Sequence, residues 1–186
     1  TTVDYIVTVI PSPVLTNNPP RQPQCNNVNT NIVLASNVAG TLFSWTCTHI
    51  SGNINGYSNS TAPAALISQV LVNSSFVTDS VIYYLTPENS GCPGSPSEYT
   101  VVVFPVPDLY FNPTEQTVCE GETSNIQNLS HVTGTTFSWI ATPSSLNLSG
   151  YSDGTGNLIA QTVDNNGATI EWVTYQVTPT ANGCPP

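Results

Sequence analysis

The stretch Tyr5-Ile6-Val7-Thr8-Val9-Ile10-Pro11-Ser12-Pro13 constrains the fold more than any other part of the chain. Tyr5, Val7 and Val9 alternate with Ile6, Thr8 and Ile10, as on the two faces of a β-strand, and the prolines end it. The pattern returns 94 residues on as Tyr99-Thr100-Val101-Val102-Val103-Phe104-Pro105-Val106-Pro107. The second copy closes a domain that begins before it; the first has nothing in front of it to close. The other end is complementary. Thr86-Pro87 and Gly91-Cys92-Pro93 lead on to Tyr99, whereas Thr178-Pro179 and Gly183-Cys184-Pro185-Pro186 lead to no closing strand. Cys92 to Tyr99 is seven residues, and Cys184 through Pro186 to Tyr5 of a following copy is also seven. The shifts of 94 (Tyr5 to Tyr99) and 92 (Cys92 to Cys184) together make 186, the whole length. This arithmetic predicts one period of a longer array, either a segment of a tandem-repeat protein or a subunit that lends its first strand to a neighbour.

The domain boundaries follow. Residues 1–13 read as the closing strand of a preceding domain, 14–107 as a first β-sandwich, and 108–186 as a second sandwich whose last strand comes from residues 1–13 of the next copy. Val14–Gln24 and Asp108–Val118 read as proline- and asparagine-rich connectors. Prolines stiffen such junctions and remove backbone donors that would pair wrongly. Within the repeats, Ile32-Val33-Leu34 is a strand, and Thr41–Cys47 matches Thr135–Ala141 around Phe43-Ser44-Trp45 and Phe137-Ser138-Trp139. Gly56-Tyr57-Ser58 matches Gly150-Tyr151-Ser152, and Leu66–Gln69 matches Leu158–Gln161 two residues out of the earlier register. Val81–Pro87 matches Val173–Pro179. No window carries a capped helical period, so the chain is predicted all-β. A period near 93 residues suits two immunoglobulin-sized sandwiches in tandem.

The order of cysteine, Phe-Ser-Trp, a glycine-rich loop, Val-x-Tyr-x-Val-Thr-Pro, Asn-Gly-Cys and a final Tyr-x-Val-x-Val strand resembles the PKD-like repeats of Bacteroidota surface proteins. The resemblance covers nearly the whole chain. It implies immunoglobulin-like sandwiches in long secreted adhesins and surface filaments, exported by the type IX route. The Trp-Asp-Phe-Gly-Asp-Gly motif of standard PKD domains is missing, which places the match in a divergent branch.

Charge narrows the function. Arg21 is the only Lys or Arg, against 11 acidic residues, and charged residues are 6% of the chain. Nucleic-acid binding needs a basic footprint, and so does attachment to anionic lipid. Neither is expected, and no stretch is long and apolar enough for membrane insertion. The 39% hydrophobic content, rich in Val, Ile and Tyr, suits packed β-structure rather than disorder. Without Met or a leader pattern the chain reads as mature or internal material. Matched cysteines and abundant Asn, Ser and Thr point to an extracellular, oxidising setting at the cell surface.

Five cysteines form two matched pairs and one odd residue. Cys25 and Cys92 occupy the same repeat positions as Cys119 and Cys184. Sequence does not set connectivity, but repeat equivalence favours Cys25–Cys92 and Cys119–Cys184 over free thiols or metal binding. Each bridge would add about 4 kcal/mol through loop entropy. Cys47, which replaces Ala141, is expected unpaired and facing the core in alternation with Phe43 and Trp45; an intermolecular bridge is the sharper alternative.

Catalytic and metal-ligating residues are not expected, and neither is a cofactor. Gly150-Tyr151-Ser152-Asp153-Gly154 fits the G-x-S-x-G nucleophile elbow, but that motif needs a strand before and a helix after it. The flanks here are Asn- and Gly-rich loop, and the sibling reads Gly56-Tyr57-Ser58-Asn59-Ser60. His49 and His131 are not equivalent between repeats. Glu120 with Glu122, and Asp153 with Asp164, supply too few oxygens for a hard cation. Asn59, Asn73, Asn128 and Asn147 begin N-x-[ST] sequons, which a bacterial origin would leave idle. Asp79-Ser80-Val81 resembles the acceptor motif for O-linked sugars in Bacteroidota, making Ser80 a candidate glycosylation site alongside the chance reading.

The expected function is mechanical: a structural repeat of an extracellular filament or giant surface adhesin, continued covalently or by strand donation through Tyr5, Val7 and Val9. Its partners are neighbouring copies, head-to-tail. The alternative is a glycan-binding accessory module of a secreted protein, with Tyr57 and Tyr151 stacking on sugars or another surface ligand.

Overall fold

In the computed structural model, which describes residues 2–186, the chain divides into one compact unit ending at Phe104 and a second running from Pro105 to Pro186. Thr1, the first residue of the expected leading strand, lies outside the described residues. No helix occurs among the described residues, so none is long and apolar enough to cross a membrane.

Unit 1 contains β1 (Arg21–Cys25), β2 (Ile32–Val33), β3 (Leu42–His49), β4 (Ile54–Asn55), β5 (Leu66–Ile67), β6 (Val72–Asn73), β7 (Asp79–Asn89), β8 (Cys92–Pro93) and β9 (Ser97–Phe104). Its main sheet runs β1-β9-β7-β3, with β8 paired to β7. Facing it are two short ladders, β2-β5 and β4-β6. Strands β3 and β7 alternate buried and exposed residues, and β7 and β9 supply the middle of the core. Phe43, Trp45, Ile54, Ile67, Leu71, Val81, Tyr83, Leu85, Val101 and Val103 form one buried cluster. The alternation is what a strand with one face on a core requires.

Unit 2 contains β10 (Tyr110–Asn112), β11 (Ile126–Leu129), β12 (Thr136–Pro143), β13 (Leu148–Ser149), β14 (Gly154–Thr155), β15 (Leu158–Ile159), β16 (Asp164–Asn165) and β17 (Val173–Thr180). It repeats most of the first unit's frame. β12 pairs with β17 as β3 pairs with β7, and β13-β16 and β11-β15 repeat β4-β6 and β2-β5. Side-chain details repeat too. Trp45 Nε1 donates to Ser58 O and Trp139 Nε1 to Ser152 O. Thr30 Oγ1 donates to Ile67 O and Ser124 Oγ to Ile159 O. Gly56 and Gly150 adopt φ of 89° and 85°, and a Cβ there would lie 2.0 and 2.1 Å from the carbonyl oxygens of Val70 and Thr162. Only glycine fits both the left-handed backbone and that approach.

Two expectations are corrected. Neither expected connector is wholly one: in Val14–Gln24, β1 begins at Arg21 and runs parallel to β9, Cys25 opposite Phe104, and in Asp108–Val118, β10 pairs with β11. β1 is an edge strand, where the missing N–H of Pro23 costs no ladder bond.

The cysteines also differ from the expected scheme. Cys92 and Cys119 are thiols, as is Cys47, whereas Cys25 and Cys184 are disulfide-bonded. Cys25–Cys92 and Cys119–Cys184 therefore do not form, and strand register explains why. Cys25 lies beside Phe104, at the end of the sheet where Asp79 meets Val103. Cys92 lies opposite Asn89 at the other end of β7. At about 3.3 Å per residue the span from Asp79 to Asn89 is about 30 Å, against roughly 4.4–6.8 Å between the Cα atoms of a disulfide. In unit 2, Cys184 is bridged to Ala181, beyond the Thr180–Thr136 pair. Two residues past Cys119, the Gly121 N–H donates to Val163 O. Asn165 in turn holds Thr169 O, just ahead of the opposite end of β17.

Candidate functional site

The site is a strand position that unit 1 fills and unit 2 leaves open. In unit 1, β7 is flanked on both edges, by β3 and by β9. In unit 2, β17 pairs among the described residues with β12 alone, so its other edge carries unpaired backbone groups. The cores register the difference. Val81, Tyr83 and Leu85 are each 0% exposed. Their counterparts Val173, Tyr175 and Val177, 92 residues on, are only half-buried. On the facing layer Ile32 is buried, while its counterpart Ile126 is half-buried.

The consequence is an open groove of about 860 Å³ in unit 2, lined by residues that include Phe111, Ile126, Ile159, Trp172, Val173 and Tyr175. Cys119 and Glu120 also border it. The segment that corresponds to β1, Glu115–Cys119, is not a strand. β1 draws its ladder bonds from β9 alone, and where no such strand is present its counterpart has nothing to pair with. The groove floor is nevertheless organised. Tyr175 Oη donates to Gln161 Oε1 at 3.0 Å, as Tyr83 Oη does to Gln69 Oε1 at 2.8 Å. Desolvation pushes both phenols above their ordinary range.

Tyr5, Val7 and Val9 are 91%, 71% and 84% exposed, and residues 2–10 belong to no ladder. The structure therefore leaves the strand-like segment and the open strand position both unpaired. Further along, the Pro13 carbonyl packs against Gly94, where a Cβ would lie 1.7 Å from its oxygen.

The remaining sequence candidates fall elsewhere. Cys47 packs against the unit 1 core, as its alternation with Phe43 and Trp45 implies, and burial pushes its thiol up. Tyr57 also packs against that core, with the His49 ring tilted against it at 5.7 Å between centroids. Tyr151 is half-buried. Ser152 sits in an irregular segment ahead of β14, held by Gln161 through its backbone and hydroxyl. Ser80 is half-buried within β7 opposite Val102, its N–H bonded to Asp79 Oδ1. Among the described residues no three His, Cys, Asp or Glu side chains gather into a metal-binding group.

His131 and Asp108 form an ion pair, and Asp108 also accepts from the Ser130 hydroxyl and the His131 N–H. Partial desolvation pushes the Asp108 carboxyl up, but these hydrogen bonds outweigh it and hold the group at about 2. Nothing in the sequence pattern pointed to this pair, nor to β1. Asp108 and His131 lie 23 residues apart and have no charged equivalents in the other repeat, where Val14 and Asn37 stand.

The profile of the PKD-like domain family matches residues 22–107 and 116–185, most of both units. The chain belongs to the PKD-like domain family. Such domains are typically extracellular adhesion or structural modules and are generally not catalytic. No curated protein matches the chain. Similar solved structures include Dpr11 IG1 bound to DIP-gamma IG+IG2 (8% identity, 89% of this chain and 96% of that one, TM-score 0.34). Human CDH23 EC21-23 aligns at 11% identity over 89% of this chain and 63% of that one, with a TM-score of 0.32. The extracellular cadherin domains 1-4 of protocadherin gamma B7 align at 11% over 90% and 49%, with a TM-score of 0.33.

Proposed function

We propose that this chain is a structural repeat unit of an extracellular filament or giant surface adhesin. In it the groove of unit 2 receives residues 5–10 of a following copy, whether that copy is joined by a peptide bond or donates its strand. The observation that carries the reading is the contrast between Val81, Tyr83 and Leu85, fully buried where β9 pairs beside β7, and Val173, Tyr175 and Val177, half-buried beside an open groove. The occupant is argued from unit 1 itself: β9 fills the equivalent position with Tyr99, Val101 and Val103, and Tyr5, Val7 and Val9 repeat that spacing. Strand addition supplies backbone bonds to the free edge, while alternate side chains set the register. Oxidised cysteines support an extracellular setting.

Applying the β7–β9 register to β17 places Val9 opposite Glu171, Val7 opposite Val173 and Tyr5 opposite Tyr175. Burying each of the three apolar side chains is worth about 1.5–3 kcal/mol. The test moves residues 2–13 from the front of the chain to follow Pro186. The rearranged chain is expected to be monomeric by sedimentation, with the unit 2 melting transition raised by at least about 10 °C. The original chain is expected to form head-to-tail oligomers that Val7→Asp abolishes. An unchanged transition together with a monomeric original chain would overturn the reading.

A further inference from the structure

Within each unit the two repeat-equivalent cysteines stand at opposite ends. Cys92 lies at the end where the chain enters unit 1: it is two residues from Gly94, against which the Pro13 carbonyl packs. Cys25 lies at the exit, beside Phe104. In unit 2, Cys184 lies at the entry end, where Asp108 is tied to Ser130 and His131, next to Thr135 and Thr136. Cys119 lies at the far end, bordering the groove.

We propose that Cys119 of one copy forms a disulfide with Cys92 of the following copy, locking the junction that strand insertion creates. The inference rests on the head-to-tail reading above. With residues 5–10 in the β9 position, Ile10 takes the place of Phe104 and lies beside Cys119, as Phe104 lies beside Cys25. The inserted chain then runs Ile10-Pro11-Ser12-Pro13 before meeting Gly94 of its own unit 1. Three residue steps span at most about 10 Å. Cys119 and the incoming Cys92 therefore flank one short, proline-stiffened connector. The counterpart connector within the chain is Phe104-Pro105-Val106-Pro107, with the same spacing of prolines. The cysteines equivalent to the proposed pair are Cys25 and Cys184, the two that are oxidised. Cys92 and Cys119 are thiols, half-buried and exposed respectively, and so open to exchange. Cys47 is packed against the core and has no repeat equivalent.

The chemistry is thiol–disulfide exchange with an oxidised dithiol carrier of the extracytoplasmic space. The thiolate of Cys119 attacks the carrier disulfide, and Cys92 then displaces the carrier from the mixed disulfide. The two cysteines lose two protons and two electrons as the S–S bond forms, and the carrier gains both as it becomes a dithiol.

The experiment uses the full chain carrying Cys92→Ser and, separately, the full chain carrying Cys119→Ser, one of them isotopically labelled. Each is treated with oxidised glutathione alone and as a mixture, then run without reductant. Chymotryptic peptides are identified by mass. The mixture is expected to give a reductant-sensitive dimer, at least tenfold above either variant alone, with a labelled–unlabelled Cys119–Cys92 peptide. Unsubstituted chains should give a ladder that Cys47→Ser leaves intact. A ladder that persists in Cys92→Ser, or linkage through Cys47, would overturn the proposal. Sedimentation in reductant separates the two levels. Assembly in reductant without the oxidised Cys119–Cys92 peptide defeats the disulfide and leaves the strand-insertion reading standing; no assembly under either condition defeats both.

Discussion

Unit 1 and unit 2 are built on one plan and differ chiefly by β1 and β9. The shared parts survive that difference in detail: the Trp–Ser and Tyr–Gln hydrogen bonds, the β3–β7 and β12–β17 ladders, and the glycines at Gly56 and Gly150. What changes is burial along one strand, complete on β7 and partial on β17. The comparison teaches that the frame of this sandwich is set by its Phe-Ser-Trp and Val-x-Tyr strands. The closing strand is a separable part that carries a second short strand with it, since β1 pairs only with β9.

The strongest way to break the contrast is to damage the closing strand of unit 1. Val101 is fully buried on β9. Val101→Asp sets an unpaired carboxylate in that core and is expected to cost more than about 4 kcal/mol. Calorimetry should show the loss of the unit 1 transition with unit 2 unaffected.

A second pair of substitutions tests what the units share. Gly56→Ala and Gly150→Ala meet the same backbone strain and the same carbonyl, at 2.0 and 2.1 Å. Each is expected to cost about 2–3 kcal/mol, and by similar amounts, because the closing strand takes no part in that turn. Urea melts resolved by unit provide the check.

The smallest effect separates the units by pH. Asp108 is held at about 2 in the folded chain, below its ordinary 3.8. A depressed carboxylate adds stability that is fully present above the ordinary value and is lost as pH falls through the folded one. The unit 2 transition should therefore weaken between about pH 4 and pH 2, and Asp108→Asn should remove that part of the slope. Unit 1 has Val14 and Asn37 at these positions; its own acid-side loss comes from Asp79, where desolvation is outweighed by hydrogen bonds that hold the carboxyl below its ordinary value, and Asp108→Asn should leave that loss unchanged.

Much of this was legible in the chain. The Phe-Ser-Trp strands and the Val-x-Tyr strands declare themselves by alternation, and the structure places them at Leu42–His49, Thr136–Pro143, Asp79–Asn89 and Val173–Thr180. β1 was not legible, because Pro23 and the polar residues around it read as connector. Its strand character comes entirely from a parallel partner about 80 residues away in sequence. The Asp108–His131 pair was hidden for a similar reason, since it has no echo in the other repeat.

The sequence by itself determined the two-unit all-β plan and the Phe-Ser-Trp and Val-x-Tyr strands at its centre, because alternation and repeat spacing are local and survive comparison of the two halves. Only the tertiary structure decided the fate of the cysteines. Repeat equivalence says that Cys25 and Cys119 match, and that Cys92 and Cys184 match, but not at which end of a sheet each lies. That depends on ladder register: β1 runs parallel to β9 and carries Cys25 to the exit of its unit, while the β7–β8 turn holds Cys92 at the entry, about 30 Å away.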